Sequence, residues 1–184
     1  PLGLLSYLGR APPIVSPVAE AFESLAALGQ RGANSRGPRR TMSVFVVDAS
    51  LVVKWFVPEI HSEAAQRWLA SSHEYVAPDL MFPEAANAVW KKTRRNELTS
   101  VEAQRLVADL ERVAVESVTT RVLVSDAITL ASKTDITVYD ATYLTLAVRL
   151  DTAVVTGDDR LARKVAGHPA LRRHVRSVLD FADE

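Results

Sequence analysis

Apolar positions along this chain follow two rhythms, and the switches between them outline the fold. Val44-Phe45-Val46-Val47 is apolar without alternation, the pattern of a short strand buried on both faces of a parallel sheet. The run stops at Asp48, and Ala49 to Trp55 then takes helical spacing. Short apolar runs at Tyr75-Val76-Ala77, Val115 to Val118, Ala153 to Thr156 and Val175 to Leu179 predict further strands. Between them the spacing predicts helices over Ser62 to Ala70, Leu80 to Arg95, Thr99 to Arg112, Val122 to Ser132, Tyr139 to Leu150 and Arg160 to Val165. Asp79 is the expected cap of the helix that starts at Leu80, and Ser100 that of the next one. Phe82, Ala85, Ala86, Val89 and Trp90 form the apolar side of the former, and Trp55, Trp68 and Trp90 are all expected in the core. Strands alternating with helices indicate βαβ units around a central parallel sheet, an α/β fold.

Residues 1–41 do not share this alternation. They hold five of the seven glycines and five of the nine prolines. Pro17 to Leu28 predicts one short amphipathic helix, capped by Ser16, with Val18, Phe22, Leu25 and Ala26 on one side. Gln30 to Arg40 is built of Gly, Asn, Ser, Pro and Arg and reads as a linker or disordered tract. The division is therefore an extension over 1–41 and a globular domain over 42–184.

Composition narrows the function classes. With 184 residues, 48% of them apolar and 24% charged, the chain suits one ordinary globular domain. No apolar run approaches the roughly 18 residues of a membrane helix, and residues 1–10 lack the pattern of a secretory signal. The absence of cysteine excludes disulfides and thiolate zinc sites and fits a cytoplasmic protein. His61, His73, His168 and His174 show no metal-ligand spacing, so any metal must be held by oxygen. Formal net charge is zero, but residues 1–41 carry five basic and two acidic groups, which leaves the domain slightly acidic. A slightly acidic body does not attract nucleic acid broadly. A polyanion would need local basic patches or cations bound to the acids.

Four acids stand out by position. Asp48 and Asp158 follow apolar strands, at the sheet edge where α/β proteins bind ligands. Asp140 lies in the first turn of a helix, where the dipole favours a charged carboxylate. Glu84 lies one turn into its helix and shares a polar face with Asn87 and Lys91. Each has a plainer explanation alone: helix cap, dipole partner or solvated surface acid. Asp79 and Asp126 are read as helix-start residues, and Asp109, Glu111 and Glu116 as surface. Asp159 either supports Asp158 or caps the following helix. Lys91, Lys92, Arg94 and Arg95 beyond Glu84, and Arg160, Arg163 and Lys164 beyond Asp158, form two basic clusters. These either grip phosphates or solvate helix ends.

Together the segments are more specific. Val-Val-Asp48-Ala-Ser50, Pro83-Glu84-Ala-Ala-Asn87-Ala-Val-Trp, Val-Tyr-Asp140-Ala-Thr-Tyr-Leu-Thr-Leu-Ala147 and Val-Thr156-Gly-Asp158-Asp-Arg-Leu161 resemble, in order, the four signature segments of PIN-domain ribonucleases. Among these the VapC-type toxins of toxin–antitoxin pairs are the most similar, over about residues 43–181. The resemblance implies a three-layer α/β/α fold and a divalent-metal-dependent endoribonuclease. In it Asp48, Glu84, Asp140 and Asp158 converge on Mg²⁺ or Mn²⁺. Ser50 and Thr156 match hydroxyl positions that support the acids, and Asn87 is placed to orient Glu84. Elementary electrostatics agrees, since clustered carboxylates need protons or a cation, and an all-oxygen donor set suits these ions. The resemblance also implies an RNA substrate, a cognate antitoxin that crosses the acidic groove, and a homodimer.

Other classes fit less well. A phosphoacceptor receiver domain wants an early acidic pair, an Asp ending the Tyr75-Val76-Ala77 strand and a Lys after the last strands, and none is expected here. A phosphatase of the haloacid dehalogenase type wants a second Asp where Ser50 stands. A binding protein that keeps the fold without turnover stays open. Residues 1–41 are expected not to belong to the working toxin. Composition shifts at Met42, the chain begins at Pro1, and Arg39-Arg40-Thr41-Met42 can be encoded with a ribosome-binding sequence ahead of a start codon. The rival expectation is a tethered inhibitor that delivers Arg36, Arg39 or Arg40 to the acids.

Overall fold

A computed structural model describes residues 43–181 of the chain. The expected helix over 17–28 and linker over 30–40 lie outside the described residues. Five strands, β1 (Val44–Val47), β2 (Glu74–Pro78), β3 (Val115–Val118), β4 (Val154–Thr156) and β5 (Val175–Ser177), form one sheet in the order β3-β2-β1-β4-β5. Every pairing is parallel. β1 is therefore the central strand, and Phe45, Val46 and Val47 are buried because helices cover both faces.

Among the described residues the α-helices are α1 (Ala49–Phe56), α2 (Ser62–Leu69), α3 (Met81–Arg94), α4 (Ser100–Leu110), α5 (Val124–Thr134), α6 (Val138–Arg149) and α7 (Asp159–Ala166). The chain steps from β1 outward to β2 and β3, then crosses back over β2 and β1 to β4. Right-handed crossovers consequently put α1 to α4 on one face of the sheet and α5 to α7 on the other. The result is the expected three-layer α/β/α arrangement. α6 is the most enclosed helix, with Ala141 through Ala147 all buried. It packs against α5 and against β1 and β2, and its small residues let it sit close to the sheet. A main core runs around β1 and Trp68, whose indole N–H donates to the Val178 carbonyl at 2.9 Å. A smaller one, with Ala127, Ile136, Leu144 and Leu161, joins α5, α6 and α7.

Element by element the sequence expectations hold to within about two residues, apart from four local corrections. Trp90 is 57% exposed rather than buried. The second half of α3 packs on α4, so Val89 is covered while Trp90 borders an apolar groove with Ala86, Thr93, Ala103 and Val107. Thr99, not Ser100, caps α4: its hydroxyl accepts from the Glu102 N–H at 3.2 Å, and Glu102 accepts from the Thr99 N–H at 2.8 Å. β2 runs to Pro78, so Asp79 does stand at a strand end. It does not cap α3, because its carboxylate accepts from the N–H and hydroxyl of Thr120 beyond β3.

Candidate active site

The strand order reverses between β1 and β4, and a crevice opens where the chains leaving these two strands diverge. It is a cleft of about 390 Å³ lined by Asp48, Ser50, Glu84, Asn87, Lys91, Asp140, Tyr143, Asp158 and Arg160, with small contributions from Ala49, Ala88 and Leu161. The four acids that were far apart in sequence thus share one wall-to-wall space. Each arrives from a different element: the end of β1, the first turns of α3 and α6, and the turn after β4.

Asp48 is the floor of the cleft. Its backbone turns from strand to helix, and its Oδ1 caps α1 by accepting the Leu51 N–H at 2.8 Å. Ser50 donates to the same oxygen at 2.8 Å, and the Thr156 hydroxyl donates to Oδ2. Burial pushes the Asp48 carboxyl up to about 6 against the pull of these three donors, with the charge of Asp158 adding to the rise. Ser50 and Thr156 both donate to Asp48 from beneath the cleft. Ser50 also accepts the Gly157 N–H at 2.9 Å, which ties the β4 turn to α1. Glycine at 157 leaves room for this approach: a Cβ there would lie 3.2 Å from the Ser50 hydroxyl and would displace the end of the Lys54 side chain.

Asp158 caps α7 in the same way, its Oδ1 accepting the Arg160 N–H at 2.8 Å. The Arg160 guanidinium folds back onto it, Nη2 3.0 Å from Oδ2 and Nε 3.3 Å from Oδ1. Burial opposes the charged form of Asp158, but the hydrogen bonds and charge of Arg160 outweigh it and hold the carboxyl below its ordinary value. Asp140 is held by the cap of α6: the Thr137 hydroxyl donates to Oδ2 at 2.9 Å and accepts the Asp140 N–H at 3.1 Å. Glu84, half-buried, accepts from the Tyr143 hydroxyl at 2.6 Å. Burial raises the Glu84 carboxyl above its usual value, Tyr143 opposes this, and the nearby charge of Asp140 adds to it.

Tyr143 is the residue that sequence reasoning missed. It stands three positions after Asp140, on the same face of α6, and that spacing was available as a signal. Its hydroxyl, and not Asn87, is the group that holds Glu84; Asn87 lines the cleft alongside. Burial and the adjoining Glu84 and Asp48 charges push the Tyr143 hydroxyl well above its ordinary range, so it remains a donor. Asp159 is exposed on the first turn of α7 and does not line the cleft, nor does it cap the helix, a task Asp158 performs.

The basic residues divide. Lys91 and Arg160 line the cleft. Lys92 is committed elsewhere, 2.7 Å from Glu59 and 3.4 Å from Glu97, with Lys54 on the other oxygen of Glu59 at 2.7 Å. Arg94 is exposed near the end of α3, and Arg95 caps that end 3.9 Å from Glu97. Arg163 lies exposed on α7 and bears on Asp158 by charge alone.

Chemically the cleft offers carboxylate and hydroxyl oxygens backed by a buried floor, a donor set that suits a hard divalent cation. As the side chains stand, each carboxylate is turned to its own donor, and among the described residues no three acidic or histidine side chains close on a single ion.

A family model described as the PIN domain matches residues 45–167. Ribonuclease VapC3 of Pyrobaculum aerophilum is 37% identical over 121 residues, which span 65% of this chain and 92% of that protein. Among solved structures, PAE2754 of the same organism aligns with a TM-score of 0.54 at 21% identity, covering 80% of this chain and 92% of that one. VapC20 of Mycobacterium tuberculosis, described as a Sarcin-Ricin loop cleaving toxin, aligns with a TM-score of 0.53 at 15% identity, covering 65% and 93%. These two share the fold.

Proposed function

The chain belongs to the PIN domain family, and on that premise we propose that it is a divalent-metal-dependent endoribonuclease that acts as the toxin of a toxin–antitoxin pair. The observation that carries this reading is the gathering of Asp48, Glu84, Asp140 and Asp158, from four separate elements, in one cleft at the strand-order reversal. The 37% identity to a ribonuclease over nearly that protein's whole length supports the reaction class.

The donor set fits Mg²⁺ or Mn²⁺, held by Asp48, Asp140 and Asp158 with Glu84 beside them. Such an ion, when bound, supplies an activated water and neutralises charge that develops on the phosphate. The rest is the work of the chain. Asp48 is fixed by Ser50, Thr156 and the Leu51 N–H, so its oxygens cannot drift when the cleft fills. Its raised pKa reflects burial of the carboxylate, a penalty that a bound cation would relieve. Tyr143 aims Glu84 into the cleft and keeps it hydrogen-bonded. Lys91 and Arg160 stand at the cleft to hold phosphate oxygens of the RNA, Arg160 with a planar fork suited to two of them.

The body of the protein is slightly acidic, so RNA is captured at the cleft rather than over a broad basic face. An antitoxin segment that crosses this cleft would block it, and an arginine of that segment would find four carboxylates to pair with. Homodimerisation and a cytoplasmic location complete the reading; among the described residues no helix is long and apolar enough to cross a membrane. Residues 1–41 are not needed for the activity, and a chain starting at Met42 should cut RNA as fast as the full one.

The test is cleavage of single-stranded RNA by the purified protein, with Mg²⁺ and with chelator, beside Asp140→Asn. The substitution keeps shape and removes a charge. Cleavage that needs the metal and disappears in the variant supports the reading. A variant that cuts as fast as the parent in Mg²⁺ refutes the site. In cells, expression alone should arrest bacterial growth and co-expression of the neighbouring antitoxin should restore it.

A further inference from the structure

Arg160 occupies an unusual position: it neutralises one of the acids from within the chain. Both oxygens of Asp158 face its guanidinium, at 3.0 and 3.3 Å, and Oδ1 also takes the Arg160 N–H. The arginine lines the cleft, yet its side chain is 80% exposed, against 33% for Asp158. Asp140 attracts it from across the cleft as well. A cation and this guanidinium would compete for the same two oxygens. Ion pairs this exposed are weak and exchange readily. Rotation about the side-chain torsions of Arg160 is enough to release Asp158, because the backbone on both sides is fixed by the cap of α7.

We propose that Arg160 is an internal counter-cation that must leave Asp158 before this carboxylate can turn to a divalent ion, and that an RNA phosphate is where the guanidinium goes. This rests on the metal-dependent reading above and adds a coupling to it. Phosphate draws Arg160 off Asp158 and so favours metal loading; metal on Asp158 frees Arg160 and so favours RNA. The two effects are equal by linkage. Arg160 is thereby a positioning residue for the metal and a contact for the substrate. In the absence of RNA it competes with loosely held cations for Asp158.

The experiment uses the full chain and titrates Mn²⁺, followed by the electron paramagnetic resonance of the free ion, into the parent, Arg160→Gln and Arg163→Gln. Arg163→Gln removes the same charge nearby without touching a carboxylate oxygen, and so measures the field effect alone. Arg160→Gln should bind Mn²⁺ about two- to five-fold more tightly than the parent, the range expected for one exposed pair, with a smaller change in Arg163→Gln. At saturating Mn²⁺ Arg160→Gln should nevertheless cleave RNA more slowly, because the phosphate contact is gone. This opposite movement is one that a merely structural role would not produce. Arg160→Gln that binds Mn²⁺ no more tightly than Arg163→Gln overturns the proposal, as does tighter binding with parental cleavage at saturation. A parent that binds no Mn²⁺ overturns the metal site itself and the counter-cation role with it, an outcome distinct from a counter-cation role that fails while the parent still binds.

Discussion

Asp48 beyond β1 and Asp158 beyond β4 are built alike and live in opposite surroundings. Each stands where a parallel strand gives way to a helix, and each caps that helix with its own carboxylate, at 2.8 Å in both cases. Asp48 belongs to the central strand, is 8% exposed, and meets only neutral donors. Asp158 lies one strand further out, at the head of a helix that buries only Leu161 and Val165, and meets a guanidinium. Burial pushes the first carboxyl up to about 6, while Arg160 overcomes burial and holds the second down. The same turn chemistry thus yields one acid that is fixed and poorly compensated and another that is reachable and already paired. A site assembled from both has a rigid floor and an adjustable rim.

If both acids serve one cation, the comparison should collapse in activity. Asp48→Asn and Asp158→Asn should each lower RNA cleavage by at least about 100-fold, because several kcal/mol of charge stabilisation depend on the ion they share. Steady-state cleavage in Mg²⁺ checks this, and full activity in either variant would separate the two residues functionally.

In stability the comparison should sharpen. A raised folded-state pKa means that the unfolded chain ionises Asp48 first, between about pH 4 and 6, so the metal-free protein loses stability as pH rises through this window. The loss should reach about 2 to 3 kcal/mol and be complete above pH 6. Denaturant unfolding in chelator, parent against Asp48→Asn, reads it as a slope that the variant lacks. Saturating Mg²⁺ should flatten the parental slope as well, since a bound cation favours the ionised carboxylate.

Tyr143→Phe tests how far the rigid floor extends. Loss of the donor leaves a half-buried Glu84 with an unmet acceptor, at a cost of about 1 to 2 kcal/mol, and cleavage should fall by roughly ten-fold as Glu84 loses its aim. Unfolding midpoints and cleavage rates on the same preparation measure both. The smallest effect is expected at the rim. Asp158 has its pKa held down, so its contribution to stability is present near neutrality and lost as pH falls through that lowered value. Arg160 is so exposed that solvent screens the pair and its contribution is small. Parent and Arg160→Gln should therefore unfold almost together at pH 7 in chelator.

Much of this molecule was legible in its residues. A doubly buried strand such as β1 must be apolar throughout, so Val44 to Val47 announced the sheet, and Asp48 announced its edge. Each of the four acids had a plainer explanation alone, and it was the resemblance of their four segments, in order, to PIN-domain motifs that joined them. What stayed hidden depends on which face of a helix its neighbours cover. Trp90 shares the apolar spacing of Val89, but Val89 is buried and Trp90 stands 57% exposed at the groove between α3 and α4. Asp79 has the composition of a cap, yet Thr120, 41 residues away, claims its carboxylate. The Thr99–Glu102 capping box and the Asp140–Tyr143 spacing were written in the sequence and went unread. The hold of Arg160 on Asp158 required coordinates, because a basic residue two positions from an acid can equally point to solvent.

The central claim is that the fixed acid and the reachable one close on a single divalent ion. Anomalous diffraction from crystals of the protein grown with Mn²⁺ tests it most directly. The account predicts a manganese peak in the cleft, within coordinating distance of both Asp48 and Asp158, with the Arg160 guanidinium turned away from Asp158. A fully loaded crystal with no manganese between these two carboxylates would contradict it.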